Sequence, residues 1–438
     1  MRKLQVKDVL TRIKEPIELE DDMLYKRVTI KTKHQGVFLR DSQYGKDIGT
    51  KKQFLINKGQ FLLSKIDARN GAFGIVPDEV DGAIITGNFW TYGVNEKELN
   101  IELFYIMTSL PFFDELCKNA SSGSTNRQYL DEKKFLNQEI TLPSIEEQNS
   151  FIEHFKKLQE KHSQTLEELQ TQTELINKLR SSILSDAVSG KLVPQDPNDE
   201  SAEVLLEKIK AEKEKLTKAG KIKKQKPLPP ISEDEIPYEL PNGWVWCRLD
   251  DIVDVRGGKR LPAGKKLISN PTEHIYVRVT DMQNGTILDN DLQYISDDIY
   301  EKIKQYYIEK NDVYLVIVGS TIGKVGLVPE LFDKANLTEN AVKLTPHLIK
   351  KEFLYLALRT SVIQSQFFDK TYQLGQPKLA INRIKSTLYP LPPLEEQKRI
   401  VEKVERLMAT CDVLELEVQN SKTETEKLMQ SVLKEAFL

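Results

Sequence analysis

Two stretches of the chain keep apolar residues on a seven-residue beat. In the first, the a and d places of the frame fall on Ile152, Phe155, Gln159, His162, Leu166, Leu169, Thr173, Ile176, Arg180, Ile183 and Ala187. In the second they fall on Val401, Val404, Met408, Cys411, Glu415, Val418, Lys422, Thr425, Met429, Val432 and Ala436. Six heptads in one frame predict two long helices paired as a coiled coil, each a rod of roughly 60 Å at about 1.5 Å per residue. The polar seam positions cost stability but can fix register and orientation. His162 and Cys411 are read as tolerated seam residues, not as a ligand and a nucleophile. Both helices open on nearly the same phrase, LPSIEEQNSFIEHF at 142–155 and LPPLEEQKRIVEKV at 391–404. Proline suits a helix entry, and two glutamates in the first turn complement the positive end of the helix dipole.

The phrase belongs to a larger repeat. At an offset of 249, residues 101–189 lie against 350–438 without a gap, so that KLRSSILSDAV (178–188) faces KLMQSVLKEAF (427–437). Upstream the offset becomes 252, where GAFGIVP (71–77) faces GKVGLVP (323–329), and 251, where RVT (27–29) faces RVT (278–280). The chain is therefore two copies of one unit, a globular part followed by a long helix. Short apolar runs at 60–66, 82–94, 274–281 and 312–319 read as strands, followed by helices near 102–117 and 351–366, which makes each globular part mixed α/β. Between the copies a helix is expected from about 201 to 216, capped by Ser201 or Asp199. The Lys- and Pro-rich TKAGKIKKQKPLPPISEDE after it reads as a solvated flexible tether. The second copy opens with LPNGWVWCRLDDI (240–252); Trp244 and Trp246 there, with Trp90 in the first copy, are expected to be core or docking aromatics.

At 438 residues, with 39% hydrophobic and 29% charged side chains, the chain is multidomain and globular in composition. Its apolar runs are too short to span a bilayer, and its charged N-terminus does not resemble a signal peptide. Cys117, Cys247 and Cys411 stand apart, with no CxxC and no histidine cluster, which argues for a reducing cytoplasm and against a structural zinc site. Catalytic motifs are missing. GSTIGKV (319–325) has three residues between its glycines and Val after Lys, not the spacing of a Walker loop, and is read as a hairpin with positive φ at its glycines. Neither a (D/N)PP(Y/F) strand end, a GxSxG nor an HExxH occurs. The net charge is −3, with a weak polarity: Lys and Arg number 21 against 20 acids in 1–141 and 20 against 18 in 236–390, but 15 against 18 in 142–235 and 7 against 10 in 391–438. A nucleic-acid partner needs only a local basic face.

The two EEQ phrases, SSILSDAVSGKLVPQDPNDESAEVLLEKI and LPNGWVWCRLDDI together resemble the specificity subunit of Type I restriction-modification enzymes, over essentially the whole chain. The resemblance implies two target recognition domains (1–141 and 236–390), two conserved helical regions (142–190 and 391–438) forming an antiparallel coiled coil, and a helix with linker at 191–235. It further implies that each domain reads one half of a split double-stranded DNA target. The helices set the spacing and dock two methyltransferase (modification) subunits, and restriction subunits complete the enzyme. The chain itself is then not the catalyst and binds no cofactor or metal; S-adenosylmethionine, ATP and magnesium belong to the partners. One departure is that no equivalent of SGKLVPQD follows Leu438.

Candidate DNA contacts are the basic and amide residues of polar, loop-like stretches. In the first copy these are Lys31, Lys33, Arg40, Lys51, Lys52, Arg69, Asn70 and Arg127. In the second, RGGKRLP supplies Arg256, Lys259 and Arg260, its glycines letting backbone approach phosphate, and Gln283, Asn284, Thr321, Lys324, Gln376 and Lys378 follow. Two other readings compete, a coiled-coil scaffold and a DNA-modifying enzyme with an unrecognised site of its own.

Overall fold

Strand alternation and helix caps cut the first copy into short elements. The computed structural model describes residues 2–124, 127–223, 227–368 and 378–435, which fall into two compact units, residues 1–170 with 420–438 and residues 171–419. In chain order the first unit holds β1 (Arg2–Gln5), α1 (Val6–Val9), β2 (Leu10–Ile13), β3 (Glu15–Glu18), β4 (Leu24–Lys31), β5 (Gly36–Tyr44), β6 (Lys52–Ile56), β7 (Phe61–Ser64), β8 (Phe73–Ile75), β9 (Ala83–Ile85) and β10 (Phe89–Val94). Next come α2 (Ile101–Thr108), α3 (Pro111–Asn119), β11 (Ser121–Ser124), β12 (Arg127–Leu130), α4 (Glu132–Leu136) and β13 (Glu139–Leu142). The expected helix at 102–117 is two, because Pro111 opens a new one. A four-stranded sheet (β2-β10-β7-β8) packs its apolar face on α2 and α3, with Phe61, Phe73, Phe104 and Phe113 meeting edge to face at its centre. A second sheet, β3-β6-β9-β4-β5, closes over its own cluster of Val28, Val37, Ile56 and Ile85.

The long helix α5 (Ile145–Val188) starts from β13, and its residues up to 170 belong to this unit. Ser144 and Glu147 form a capping box: Ser144 N–H donates to Glu147 Oε2 at 2.9 Å and Glu147 N–H to Ser144 Oγ at 3.3 Å. The fully buried Gln148 does more. Its amide donates to the carbonyls of Glu98 and Pro143, at 2.9 and 3.0 Å, and accepts from Asn100 N–H at 2.8 Å, the residue that caps α2.

In the second unit the order is α6 (Ala202–Lys218), β14 (Val245–Arg248), α7 (Leu249–Ile252), β15 (Val253–Gly257), β16 (Tyr276–Val277), β17 (Met282–Gln283), β18 (Thr286–Ile287), α8 (Asp297–Ile303), β19 (Val313–Val316) and β20 (Val325–Leu327). It ends with β21 (Asn336–Leu337), β22 (Ala341–Pro346), α9 (Lys351–Leu358), α10 (Ser361–Phe367), α11 (Ile381–Ser386), β23 (Leu388–Leu391) and α12 (Leu394–Glu435), the last up to residue 419. The repeat is exact in strand register. Phe61 faces Ile75 as Val313 faces Leu327, and Phe89 faces Ser64 as Ala341 faces Val316, all 252 apart. Leu4 faces Ile140 as Cys247 faces Tyr389, with offsets of 243 and 249.

Two sequence alignments need correction. Buried Leu103, Phe104 and Met107 of α2 answer to Phe353, Leu354 and Ala357 of α9, so the offset is 250 there and returns to 249 only at α4 and α11. The shared RVT is not equivalent in the sheets. Arg27 faces Ile84 on β4, while Tyr276 faces Asn336, and Arg278 instead precedes a 3₁₀ turn at Val279–Asp281. The expected strand at 274–281 accordingly shrinks to two residues.

The expected tether is mostly exposed among its described residues, but it is anchored to the unit at several points. Ala202, Leu205 and Ile209 of α6 are buried in the core of the second unit. Past α6, Lys221 O accepts from Arg256, Glu235 pairs with Arg248 at 2.8 Å, and Tyr238 Oη donates to Val188 O at 2.8 Å. Polar bonds from Arg248 and Arg256 thus anchor a stretch that stays largely solvated. Ser201 sits at the cap position of α6, but its side chain makes no capping bond.

Within this unit residues 171–188 of α5 pack antiparallel on α12. Arg180 pairs with Asp412 and Glu415 at 2.6 and 2.8 Å, while further along, Asp199 pairs with Arg399 at 2.5 Å and Gln195 meets Glu396 at 3.1 Å. Of the seam residues here, Ile176, Ile183, Ala187, Val404 and Cys411 are buried; Arg180 and Glu415 neutralise each other. At the start of α12, Gln397 repeats Gln148: buried, it accepts from Lys350 N–H at 2.9 Å and donates to Pro392 O at 3.0 Å. Glu396 departs from its counterpart Glu147. It is buried and accepts from Trp244 Nε1 at 3.0 Å as well as from Gln195.

Replacing Gln397 by Ala leaves Lys350 N–H and Pro392 O without partners in the core, and is expected to cost about 1–3 kcal/mol, read as a lower urea midpoint. Lys398→Ala, which removes an exposed pair with Glu395, should change it by less than about 0.5 kcal/mol. Burial raises the Glu396 carboxyl above its ordinary range, although bonds from Gln195 and Trp244 pull the other way. A carboxyl raised in the folded state contributes stability that is full below its unfolded pKa, about 4.3, and lost as pH climbs through the folded value. Glu396→Gln cannot ionise, so its Tm relative to wild type should rise between about pH 4 and pH 7 in calorimetry. A pH-independent difference would mean that this carboxyl does not titrate in that window.

Candidate nucleic-acid interface

Position along β4 and β5 sorts the candidates between the two ends of that hairpin. In the first unit the tip residues 32–35 dock on the turn after β7. Lys33 N–H donates to Asn70 O at 2.8 Å, His34 N–H to Gly71 O at 3.0 Å, and His34 Nε2 lies 3.0 Å from Asp114 Oδ1. This brings Lys31, Lys33, Arg69 and Asn70 together at one end of the four-stranded sheet. Lys31, Lys33 and Asn70 are exposed and Arg69 is half-buried. The β11-β12 hairpin joins the same end, since Leu130 N–H donates to Lys65 O at 2.8 Å and Lys65 Nζ lies 6.0 Å from the ring of the exposed Tyr129. Arg127 starts β12; its side chain lies outside the described residues.

Lys51 and Lys52 are not part of this cluster. They belong with the open base of the β4-β5 hairpin, roughly 25 Å from its tip for eight residues at about 3.3 Å each. Lys51 is consumed there by Asp21, at 2.5 Å, and by Gly45 O, at 2.6 Å. Arg40 lies midway along β5, exposed and 3.7 Å from Asp41. Arg27 donates two bonds of 2.6 Å to Asp41 and, with Arg40 nearby, holds that carboxyl below the usual range.

The second unit divides its candidates along β20, with Thr321, Lys324 and Lys378 at the β19-β20 loop and Gln283 and Asn284 beside Leu327 at the strand's other end. The β19-β20 loop is the expected hairpin, with Gly319 at φ 101° and Gly323 at φ 88°. It carries Thr321 and the exposed Lys324, and Lys378 is bridged to Val318 beside it. Gln376 lies outside the described residues. Gln283 and Asn284 form the exposed tip of the short β17-β18 hairpin, whose Asn284-Gly285 turn has φ of 53° and 74°.

The RGGKR loop is corrected most. Arg256 is tied to Asp254 at 2.6 Å and to Lys221 O at 2.8 Å, and Arg260 to Glu339 at 2.7 Å. Partial burial pushes Glu339 up, but the bonds from Arg260, Thr338 and its own backbone together outweigh it and the carboxyl stays low. A Cβ on Gly258 would overlap the carbonyls of Leu337 and Thr338, so this glycine serves close approach to the protein's own backbone. Lys259 remains exposed, its Nζ 5.6 Å from the Tyr306 ring.

Sequence reasoning missed the Lys65 and Tyr129 pair, and the buried amides of Gln148 and Gln397; the latter recur at the offset of 249 and could have been found there. The tryptophans are packing residues as expected: Trp244 is buried, Trp246 Nε1 donates to Tyr238 O at 3.1 Å, and Arg12 lies 5.2 Å from the Trp90 ring. Burial pushes the Cys117 and Cys247 thiols up, away from thiolate chemistry. Among the described residues no group of three His, Cys, Asp or Glu is placed to hold a metal, and no helix is long and apolar enough to cross a membrane.

Comparison with known proteins gives this geometry a family. The model of the Type I restriction modification DNA specificity domain matches twice, over residues 4–185 and 241–421. The EcoAI specificity subunit of Escherichia coli is 35% identical over 263 residues, 56% of this chain and 42% of that protein. The EcoEI specificity subunit of the same species is 27% identical over 393 residues, 78% of this chain and 65% of that protein. The chain thus spans between about two fifths and two thirds of these relatives' length. Two solved structures share the fold at 17% identity. One, from work on complex assembly and conformational transition of the type I R-M system, has a TM-score of 0.64 and covers 100% of this chain and 97% of its own. The other, the HsdS subunit of Thermoanaerobacter tengcongensis, has a TM-score of 0.55 and covers 100% and 96%. With both halves matched by one domain model and strand registers repeated residue for residue, the chain belongs to the Type I restriction-modification DNA specificity family.

Proposed function

We propose that this chain is the DNA sequence-recognition subunit that directs a Type I restriction-modification complex to a bipartite double-stranded target. The observation that carries the reading is the double match of the specificity-domain model to two units with one sheet register and different exposed tips. Each domain reads one half-site. The long helices set the distance between half-sites and dock two methyltransferase subunits, and restriction subunits complete the assembly. On this reading the chain supplies no bond-making chemistry; S-adenosylmethionine, ATP and magnesium act on the partners. The site of action is the cytoplasm, in keeping with three buried, unpaired cysteines. Discrimination comes from base-edge contacts worth about 1–3 kcal/mol each, and two short readers acting together multiply a selectivity that neither has alone.

The test is to express the chain with its methyltransferase partner in a host lacking other modification systems and to map methylated bases. One split sequence with a fixed gap is expected; random or absent methylation would overturn the reading. The tips also make a salt prediction. Lys33→Ala and Lys324→Ala, each removing an exposed lysine at a tip, should each lower the slope of log K against log salt by about 0.9 for the complex on its target. Lys51→Ala should leave that slope unchanged, because Lys51 is already paired with Asp21.

A further inference from the structure

The two hairpins that present the tips have little in common except how they are seated. The strands β4 and β5 have eight and nine residues, and β17 and β18 two each. Yet a glycine with positive φ sits at the tip of each, Gly36 at 90° and Gly285 at 74°, exactly 249 apart. Against each lies a tyrosine from the helix that follows the sheet, Tyr105 of α2 and Tyr355 of α9, 250 apart, which is the register of those helices. A Cβ on Gly36 would fall 3.7 Å from Tyr105 Oη, and one on Gly285 would overlap Tyr355 Oη. In both units the hairpin also lies along the same edge strand: a Cβ on Gly74 of β8 would come within 2.9 Å of Gly36 Cα, and Leu327 N–H of β20 donates to Gly285 O at 2.9 Å.

Left-handed backbone recurs at the same two places, strained at Lys33 and His34 and favoured at the Asn284-Gly285 turn. Among the described residues five that are not glycine have positive φ, and three of them, Lys33, His34 and Asn284, are at these tips. A left-handed lysine and histidine in succession are unfavourable and persist only where surroundings enforce them. Here the enforcing groups are Asn70 O, Gly71 O and Asp114. A surface loop with no task could relax that strain. Around it the exposed side chains are those that recognise nucleic acid, Lys31, Lys33 and Gln35 on one tip and Gln283 and Asn284 on the other, and a two-stranded ribbon is narrow enough for a major groove about 12 Å wide.

Resting on the function proposed above, we infer that these hairpins are the reading fingers of the two halves and that Tyr105 and Tyr355 are positioning residues that hold them at a fixed angle through Gly36 and Gly285. The tyrosines do not touch DNA; they set where Lys33, Gln283 and Asn284 meet it.

The experiment uses the full chain assembled with its methyltransferase partner and compares methylation of duplexes altered in one half-site or the other. Tyr355→Ala is expected to relax discrimination at one half-site at least tenfold and leave the other intact, and Tyr105→Ala to do the reverse. Tyr355→Phe loses Oη but keeps the ring carbons that also lie against Gly285, and should retain most of the wild-type discrimination. Should Tyr355→Ala not fold, Gln283→Ala, at an exposed tip, must relax the same half-site. Folded variants that discriminate like wild type at both half-sites, or lose both equally, overturn the positioning role. A wild-type complex that discriminates no sequence at all instead sinks the functional reading on which it rests.

Discussion

A helix of 44 residues lying mostly in solvent takes its direction from its first turn, and here that turn is fixed by one buried amide. Gln148 joins three pieces of backbone: the carbonyl ahead of the helix, the carbonyl of Glu98, and the N–H of the residue that caps α2. Gln397 joins two pieces in the same way at α12, Pro392 O and Lys350 N–H. Each hydrogen bond is modest in net terms, but a buried unpaired donor or acceptor costs more than a satisfied one gains, so the geometry is steep around its minimum. The helix therefore leaves each domain along a defined line. Glutamate or leucine at this position could not serve both an N–H and a carbonyl.

Around that shared joint the two copies have been free to differ. Thr91 at the centre of one sheet is Lys343 in the other, where it needs Asp312 at 3.1 Å and Glu309 at 3.2 Å to be buried at all. Glu147 caps its helix at the surface, whereas Glu396 turns inward to Trp244 and Gln195. Among the described residues the five-stranded sheet of the first unit has no match of equal size in the second. What stays constant is the strand register, the joint, and the seating of a hairpin on a tyrosine. What varies is the surface those constants hold out, as expected where one frame must present two specificities.

Much of this was legible in the sequence because periodic burial leaves a periodic trace. The heptads foretold both long helices, and Ile176, Ile183, Val404 and Cys411 are buried on the expected seam. The glycines of GSTIGKV marked a hairpin correctly. Failures came where composition was made to stand for environment. Lysines and prolines after α6 suggested a flexible tether, yet Arg248 and Arg256 anchor that largely exposed segment to the unit. RGGKR looked like a phosphate grip, but its two arginines meet Asp254, in plain view two residues upstream, and Glu339, which only the fold brings near. RVT matched letter for letter and still fell out of register, since three residues carry too little information to outweigh a sheet. The gap between α3 and α4 was missed for a similar reason: a slip of one residue changes little in a string match and everything on a helix face.

The same pairing explains how a chain of net charge −3 can present basic tips. Its arginines are largely occupied: Arg27, Arg180, Arg248, Arg256, Arg260, Arg278 and Arg399 all face carboxylates. Among the described residues Lys33 at the β4-β5 tip and Lys324 on the β19-β20 loop belong to the many lysines with no carboxylate within ion-pair distance. At any one tip a few uncommitted lysines give a weak, salt-sensitive attraction, far short of what a strongly basic surface would supply. On the proposed reading that weakness is useful, because a reader that clung to any phosphate backbone would gain little from matching bases. Selectivity then depends on two tips engaging together, and each tip must hold its angle without the target's help, which places the demand on the glycine, the tyrosine and the left-handed turn beneath it.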